Sequence, residues 1–391
     1  MAELVRHIAP TNFLSFGPNG PGLDLRPLNL LIGPNGSGKS NLIEAINLLR
    51  SAPKDFRDVT RRGGGVAEWI WKGSPNSPAS VEWVLNHPSA PKPIRHLVAF
   101  RSLAQAFSLD DERLENTERT NAYDTDVYFY YRYQDGHPVL NTRQNGSRSL
   151  SRASIEPDRS ILAQRRDAEF YPEMTWIAQS YEKIRIYREW SFGRNAVFRE
   201  PQKADLRNDS LDEDFGNLGL FLNRLKNRYP VAKRAILKGL QDLYAGITDF
   251  DVFIEGGTVQ VFFTEGDFSI PATRLSDGTL RYLCLLAILC DPEPPPLVCI
   301  EEPELGLHPD ILPGLADLLK TASQRTQIVV TTHSDILVDA MSDTPESVVI
   351  CSRQEGQTVM ERLNSSDLTD WLEKYRLGQL WTTGQIGGTR W

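Results

Sequence analysis

Three short apolar runs, each ending abruptly in polar or glycine-rich residues, organise this chain of 391 residues. Leu28–Ile32 runs into the glycine-rich segment 33–40, after which residues 41–49 take up a helix-like pattern. Leu297-Val298-Cys299-Ile300 ends in Glu301-Glu302-Pro303-Glu304, and the β-branched run 327–332 ends at His333-Ser334. Continuous apolar runs this short predict strands buried on both faces, as in a parallel sheet covered by helices. Residues 280–289 predict an apolar helix. Residues 81–85 and 127–133 are β-type runs rich in Val and aromatics, separated by a charged segment, 110–126. From 161 to 243 the pattern is helical and charged, broken at 200–214 by Pro, Asp and Asn; strands resume from Phe250. A short amphipathic helix over 368–377 precedes a tail of Gly, Thr and Trp. No segment sustains apolar heptads, so long coiled-coil arms are not expected.

The segment Gly33, Pro34, Asn35, Gly36, Ser37, Gly38, Lys39, Ser40 lies between a strand and a helix, the order a phosphate-binding P-loop requires. Its glycines let successive N–H groups face inward, and the following helix, opening with Asn41, adds its N-terminal donors. Lys39 would reach the β- and γ-phosphates, and the Ser40 hydroxyl would bind Mg²⁺. The acids after the run 297–300 supply the second half of such a site. Glu301 is assigned to the metal and Glu302 to the attacking water, because alternation along a strand points neighbouring side chains apart. Without the glycine loop, these acids would read equally well as a solvated turn. His333 stands at a strand end, where doubly wound sheets place ligands, and could bond the γ-phosphate or the water. Ser276 is a candidate N-cap for the helix over 280–289, leaving free N–H groups near Gly278.

In this order, the P-loop, LSDGT (275–279), VCIEEPELGLHP (298–309) and TTHSD (331–335) resemble the ATP-binding cassette heads of the SMC, RecF and overcoming-lysogenisation-defect ATPases. NFLSFGP (12–18), IYREWSFGR (186–194), GNLGLFLNRL (216–225) and LGQLWTTGQIGGTRW (377–391) resemble a bacterial group of stand-alone RecF-like ATPases. The resemblance implies an α/β P-loop NTPase of ABC-head type with an antiparallel β-lobe and an inserted helical region. The expected division is a first lobe over 1–160, a helical insertion over 161–245 and a second lobe over 246–391. It further implies ATP and Mg²⁺ as cofactors, Ser276 and Gly278 as a signature loop facing a partner subunit's ATP, 306–309 as the D-loop and His333 as the switch histidine. Asp277 stands where transporters carry Gly, and Glu301 where they carry Asp. A homodimer closed around two nucleotides is expected, with higher oligomers open, acting on a separately encoded effector in anti-phage defence or DNA repair. A scaffold in which ATP is structural is the alternative.

Composition narrows the setting. Four cysteines, Cys284, Cys290, Cys299 and Cys351, lie mostly in apolar runs without metal-ligand spacing and read as buried thiols of a reducing compartment. No secretory leader or stretch of about 20 apolar residues is present, so a cytoplasmic protein without membrane spans is expected. The net charge of −8 argues against an overall polyanion-binding surface. A local one remains open: Arg159, Arg165, Arg166, Arg185, Arg188, Arg194 and Arg199 interleave with Tyr171, Tyr181, Tyr187 and Trp190, which could grip nucleic acid, although such interleaving is more often a solvated face paired with neighbouring acids. Arg57, Arg61 and Arg62 before Gly63 are similarly ambiguous. The 58 residues after His333 are too few for a separate nuclease fold, so any cutting activity is expected on another polypeptide.

Overall fold

In a computed structural model, the structure describes residues 3–134, 137–142, 146–150, 155–156, 158–190, 193 and 196–388. The three apolar runs form adjacent strands at the centre of a six-stranded sheet. Its order is Arg185–Tyr187, Leu297–Glu301, Gln327–Thr331, Leu28–Ile32, Val348–Gln354 and Gln357–Arg362. All neighbours are parallel except the last pair, which is an antiparallel hairpin. Both faces are buried, as the unbroken apolar runs require. Leu28, Leu30, Ile32, Val298 and Ile300 pack into one core with the helices Leu218–Arg228, Pro230–Leu243, Asp277–Leu289 and Leu312–Ala322. Leu31, Leu297, Cys299 and Val329 pack into the other.

That second core is filled by the helix Lys39–Ser51, which lies between the central sheet and an eight-stranded antiparallel sheet. Leu42, Ile43, Ala45, Ile46, Leu48 and Leu49 are all fully buried, more than one amphipathic stripe supplies, because the helix is covered on opposite sides. Burying each of its large side chains stabilises the fold by about 2 kcal/mol. A polar clasp joins the two sheets: Gln327, buried in a central strand, accepts from the Val5 N–H at 2.9 Å and donates to the Val5 carbonyl at 2.7 Å. A third, four-stranded antiparallel sheet contains Ile247–Glu255, Thr258–Glu265 and Phe268–Pro271.

Three expectations change. The charged segment 110–126 is not only a connection, since Ala106–Asn116 is a strand of the large sheet in which Glu112 and Glu115 are buried. Buried Glu112 accepts from the Ser160 hydroxyl, from the Ile161 N–H at 2.9 Å and from His96 at 3.4 Å; buried Glu115 pairs with Arg95 and Arg132. Charge density was misleading because these carboxylates find partners inside the lobe. The region 161–245 contains the strand Arg185–Tyr187, which pairs with Leu297–Glu301, so the region is not purely helical and supplies one edge strand of the central sheet. The closing helix is two helices, Ser365–Leu372 and Leu377–Thr382. All four cysteines are buried free thiols.

Removing the acceptor at Glu112 leaves three buried donors without a partner. Glu112→Ala is expected to cost about 3 kcal/mol, read as a lower urea midpoint, whereas Glu118→Ala on the exposed end of the same segment leaves the midpoint unchanged.

Candidate functional site

The parallel register brings the ends of three strands to one edge, and the candidate residues project there. Leaving Ile32, the chain turns through Gly33 at φ 146° and enters the helix from Gly38 at φ 99°. A Cβ on Gly33 would lie 2.1 Å from the Cys351 carbonyl oxygen, and one on Gly38 would lie 2.0 Å from Thr358 Oγ1, so both positions need glycine for space as well as for torsion. Behind the loop runs a hydrogen-bonded relay. Thr358 Oγ1 donates to the Ser37 carbonyl at 2.9 Å, which leaves Ser15 Oγ to donate to Thr358 at 2.6 Å and to accept from Asn41 Nδ2 at 2.6 Å. The Asn41 side chain thus supports the loop through Ser15. Lys39 is buried, its ammonium donating to the Gly33 and Pro34 carbonyls at 2.7 and 3.1 Å, and burial lowers its pKa.

Ser40 Oγ donates to Glu301 Oε2 at 3.0 Å, joining residues 261 positions apart. The other oxygen, Glu301 Oε1, is buried, accepts no hydrogen bond and faces Arg188 Nε at 3.4 Å. Burial pushes this carboxyl above its ordinary range, against the opposing pull of Arg188 and Ser40. Arg188 also pairs with Glu44 on the P-loop helix, and Trp190 Nε1 donates to the Glu301 carbonyl at 2.7 Å. A hydroxyl beside a half-buried carboxylate, one of whose oxygens accepts no hydrogen bond, suits a hard cation, and inward-curled glycine backbone under a buried ammonium suits phosphate. The residues present therefore fit magnesium and a nucleotide.

Glu302 diverges from Glu301 for a different reason than strand alternation. The strand ends at Glu301, and Glu302 sits at φ 48° with its N–H held by the Thr331 carbonyl at 2.9 Å. This left-handed residue turns its carboxylate towards His333, whose Nε2 is 3.6 Å from Oε1. Glu304, not singled out beforehand, accepts the His333 N–H at 2.7 Å, and burial raises its pKa. Its signal was the third acid of EEPE.

Ser276 caps the helix Asp277–Leu289 through its hydroxyl, which accepts from the Thr279 N–H at 3.1 Å. It is exposed, and neither it nor Gly278 hydrogen-bonds to the P-loop among the described residues. Gly278 lies against the D-loop: a Cβ there would be 2.9 Å from the Gly306 carbonyl oxygen. Asp277 pairs with Arg199, which also donates to the Thr273 and Leu275 carbonyls. Arg281, brought down to about 10 by burial, stands over the Trp190 ring at 4.6 Å. The interleaved arginines are largely committed within the chain: Arg159 to Glu156, Arg166 to Glu182, Arg185 to Ser210 and nearby carbonyls, Arg188 to Glu44. Arg165 donates to the Gln164 carbonyl, and Arg57 pairs with Asp55 and Asp158, while Arg61 and Arg62 are exposed. Arg194 lies outside the described residues.

The family described as an AAA domain, putative AbiEii toxin, Type IV TA system, matches residues 28–339, from the P-loop strand through the helix after His333. The chain belongs to this family. No curated protein matches it. Among solved structures, this AAA-domain protein is similar to an SMC head bound to the C-winged helix domain of ScpA, with 16% identity over 93% of this chain and 99% of that one and a TM-score of 0.58. It is also similar to the Pyrococcus furiosus Smc head with an extended coiled coil bound to the C-terminal domain of ScpA, with 13% identity over 95% and 99% and a TM-score of 0.57. At such identities the likeness shows the fold, an ABC-type P-loop head, and does not extend to the narrower overcoming-lysogenisation-defect group. Among the described residues no helix is long and apolar enough to cross a membrane.

Arg188 is the cation that Glu44 and Glu301 share. Because all three are partly solvated, Arg188→Met is expected to cost about 2 kcal/mol, below the full penalty for a buried pair. Chemical denaturation in chelator should show this loss, and added Mg²⁺ should recover part of it.

Proposed function

We propose that this protein binds Mg·ATP at residues 33–40 and hydrolyses it as an ABC-type head that closes on a second copy. The observation that carries the reading is the contact between Ser40 and Glu301, which joins the P-loop to an acid from a distant strand. When bound, magnesium would neutralise charge on the β- and γ-phosphate oxygens. Ser40 and Glu301 would hold it, and Lys39 would pair with the same phosphates from the other side. Glu302, the more exposed of the two acids, would accept the proton of the attacking water, with His333 beside it orienting that water. Gly33, Pro34, Asn35, Gly36, Ser37 and Gly38 would supply backbone donors to the phosphates.

The exposed signature loop supports a site completed by another subunit. Ser276 and Gly278 would meet the nucleotide of a facing copy, so that binding favours the closed dimer and hydrolysis releases it, a shift of population by differential affinity. The ScpA-bound SMC heads support a head that engages a partner protein, and the toxin–antitoxin description of the family supports an effector-linked role in bacterial defence. DNA repair remains the second setting for the same cycle.

Lys39→Ala is expected to abolish ATP binding, whereas Glu302→Gln retains it and lowers kcat by about a thousandfold. Isothermal titration and phosphate release read the two arms, and equal loss of binding in both variants would overturn the assignment. A scaffold with structural ATP would instead bind nucleotide and release no phosphate in the wild type.

Light scattering addresses assembly. In the Glu302→Gln background, ATP should produce a dimer. Ser276→Arg should bind ATP equally well and stay monomeric, because a bulky cation replaces the small hydroxyl at the facing surface.

A further inference from the structure

The C-terminal phrase LGQLWTTGQIGG has no part in the site so far, yet its described portion ends against the P-loop. A Cβ built on Gly388 would lie 3.8 Å from the Gly33 Cα and 2.7 Å from Ile350 Cγ2. Ile350 is paired with Ile32, the residue that leads into Gly33. Gly33 is also the residue whose carbonyl holds the Lys39 ammonium. The segment therefore backs the first turn of the loop that carries the phosphate-binding lysine.

Its placement is enforced from within. Trp381, 1% exposed, donates its indole N–H to the Gly388 carbonyl at 2.7 Å. The Gln385 N–H returns to the Leu380 carbonyl at 2.9 Å, and Gly387 and Gly388 both take positive φ, at 78° and 62°. These contacts fold residues 384–388 back over the helix Leu377–Thr382.

The other end of the segment grips the element that follows His333. Asp339, at the end of the helix Asp335–Asp339, accepts from the Gly378 N–H at 2.6 Å and the Gln379 N–H at 3.2 Å. Ser342 Oγ accepts from the Leu377 N–H at 2.9 Å. A Cβ on Gly378 would meet the Asp335 carbonyl oxygen at 2.2 Å, so the two helices touch backbone to backbone. Asp335 is two residues from His333.

We propose that residues 377–388 form a latch that holds the P-loop turn at Gly33 and the helix after His333 in one register, with Trp381 as its positioning residue. The inference rests on the ATPase reading and deepens it: phosphate binding and the histidine that faces the hydrolytic water are aligned by a segment that touches neither. A rigid link of this kind matters because small displacements of a reacting geometry are costly in rate. It also makes the segment sensitive to nucleotide, since anything that orders Gly33 orders what packs on it.

Hydrogen exchange of the wild-type protein is the primary test. Amides in 384–388 should exchange more slowly when Mg·ATP is added, and Lys39→Ala should abolish that response. ATP binding without slower exchange there would overturn the latch alone, while failure of the wild type to bind ATP would remove the ATPase reading and the latch with it. Kinetics provide the second arm. Trp381→Phe keeps an aromatic ring and deletes the donor to Gly388, and Gly388→Ala drives a methyl towards Ile350. Measured well below their unfolding temperatures, both should raise KM for ATP about fivefold, the scale of one lost hydrogen bond, and lower kcat as well. Wild-type KM and kcat in both folded variants would reduce the segment to packing and overturn the proposal.

Discussion

Parallel pairing of Leu297–Glu301, Gln327–Thr331 and Leu28–Ile32 is the constraint from which the rest of the site follows. Their register aligns Glu301 with Thr331 and Thr331 with Leu31, so the segments beyond these strands emerge on the same edge within hydrogen-bonding reach. Such strands cannot be joined by hairpins, and the crossovers fill both faces of the sheet with helices. The apolar content of the strands is thus the cause of the site's geometry. It keeps three chemically different termini together although nearly three hundred residues lie between the first and the last.

The polar groups on that edge exist in tension with the core beneath them. Glu301 and Glu304 are half-buried acids, Lys39 is a buried cation, and each is pushed towards its neutral form by desolvation. They are retained because each has at least one directed partner: Ser40 and Arg188 for Glu301, the His333 N–H for Glu304, two loop carbonyls for Lys39. Trp190 and Arg281 extend the arrangement to the signature helix, since the indole bonds the Glu301 carbonyl and lies under the guanidinium of a residue on that helix. Glu301, Trp190 just beyond the strand Arg185–Tyr187, and the helix Asp277–Leu289 therefore share one packed contact.

Most residues that meet at this edge were legible in the linear sequence, because the glycine spacing, Lys39 and Ser40 sit within eight consecutive positions. Glu301, Glu302 and His333 were legible because a strand's end marks itself by the switch from apolar to polar. Glu112 and Glu115 were not, since a carboxylate that finds its arginine or hydroxyl partners across a sheet looks, in sequence, like any solvated acid. The interleaved arginines pair largely with neighbouring acids and carbonyls, the commoner of the two readings their pattern allowed.

By itself the sequence determined the three central strands, the glycine loop and the acids that follow a strand, because each depends on contacts or torsions among residues close in the chain. Only the tertiary structure decided what supports them. Ser15 and Thr358 hold the loop from either end of the chain, Arg188 faces Glu301 from just beyond an edge strand, Asn41 bonds Ser15, and Trp381 brings Gly388 to Gly33. These are pairings over long sequence separations. Their energy appears only once the core has collapsed and excluded water from the donors and acceptors involved.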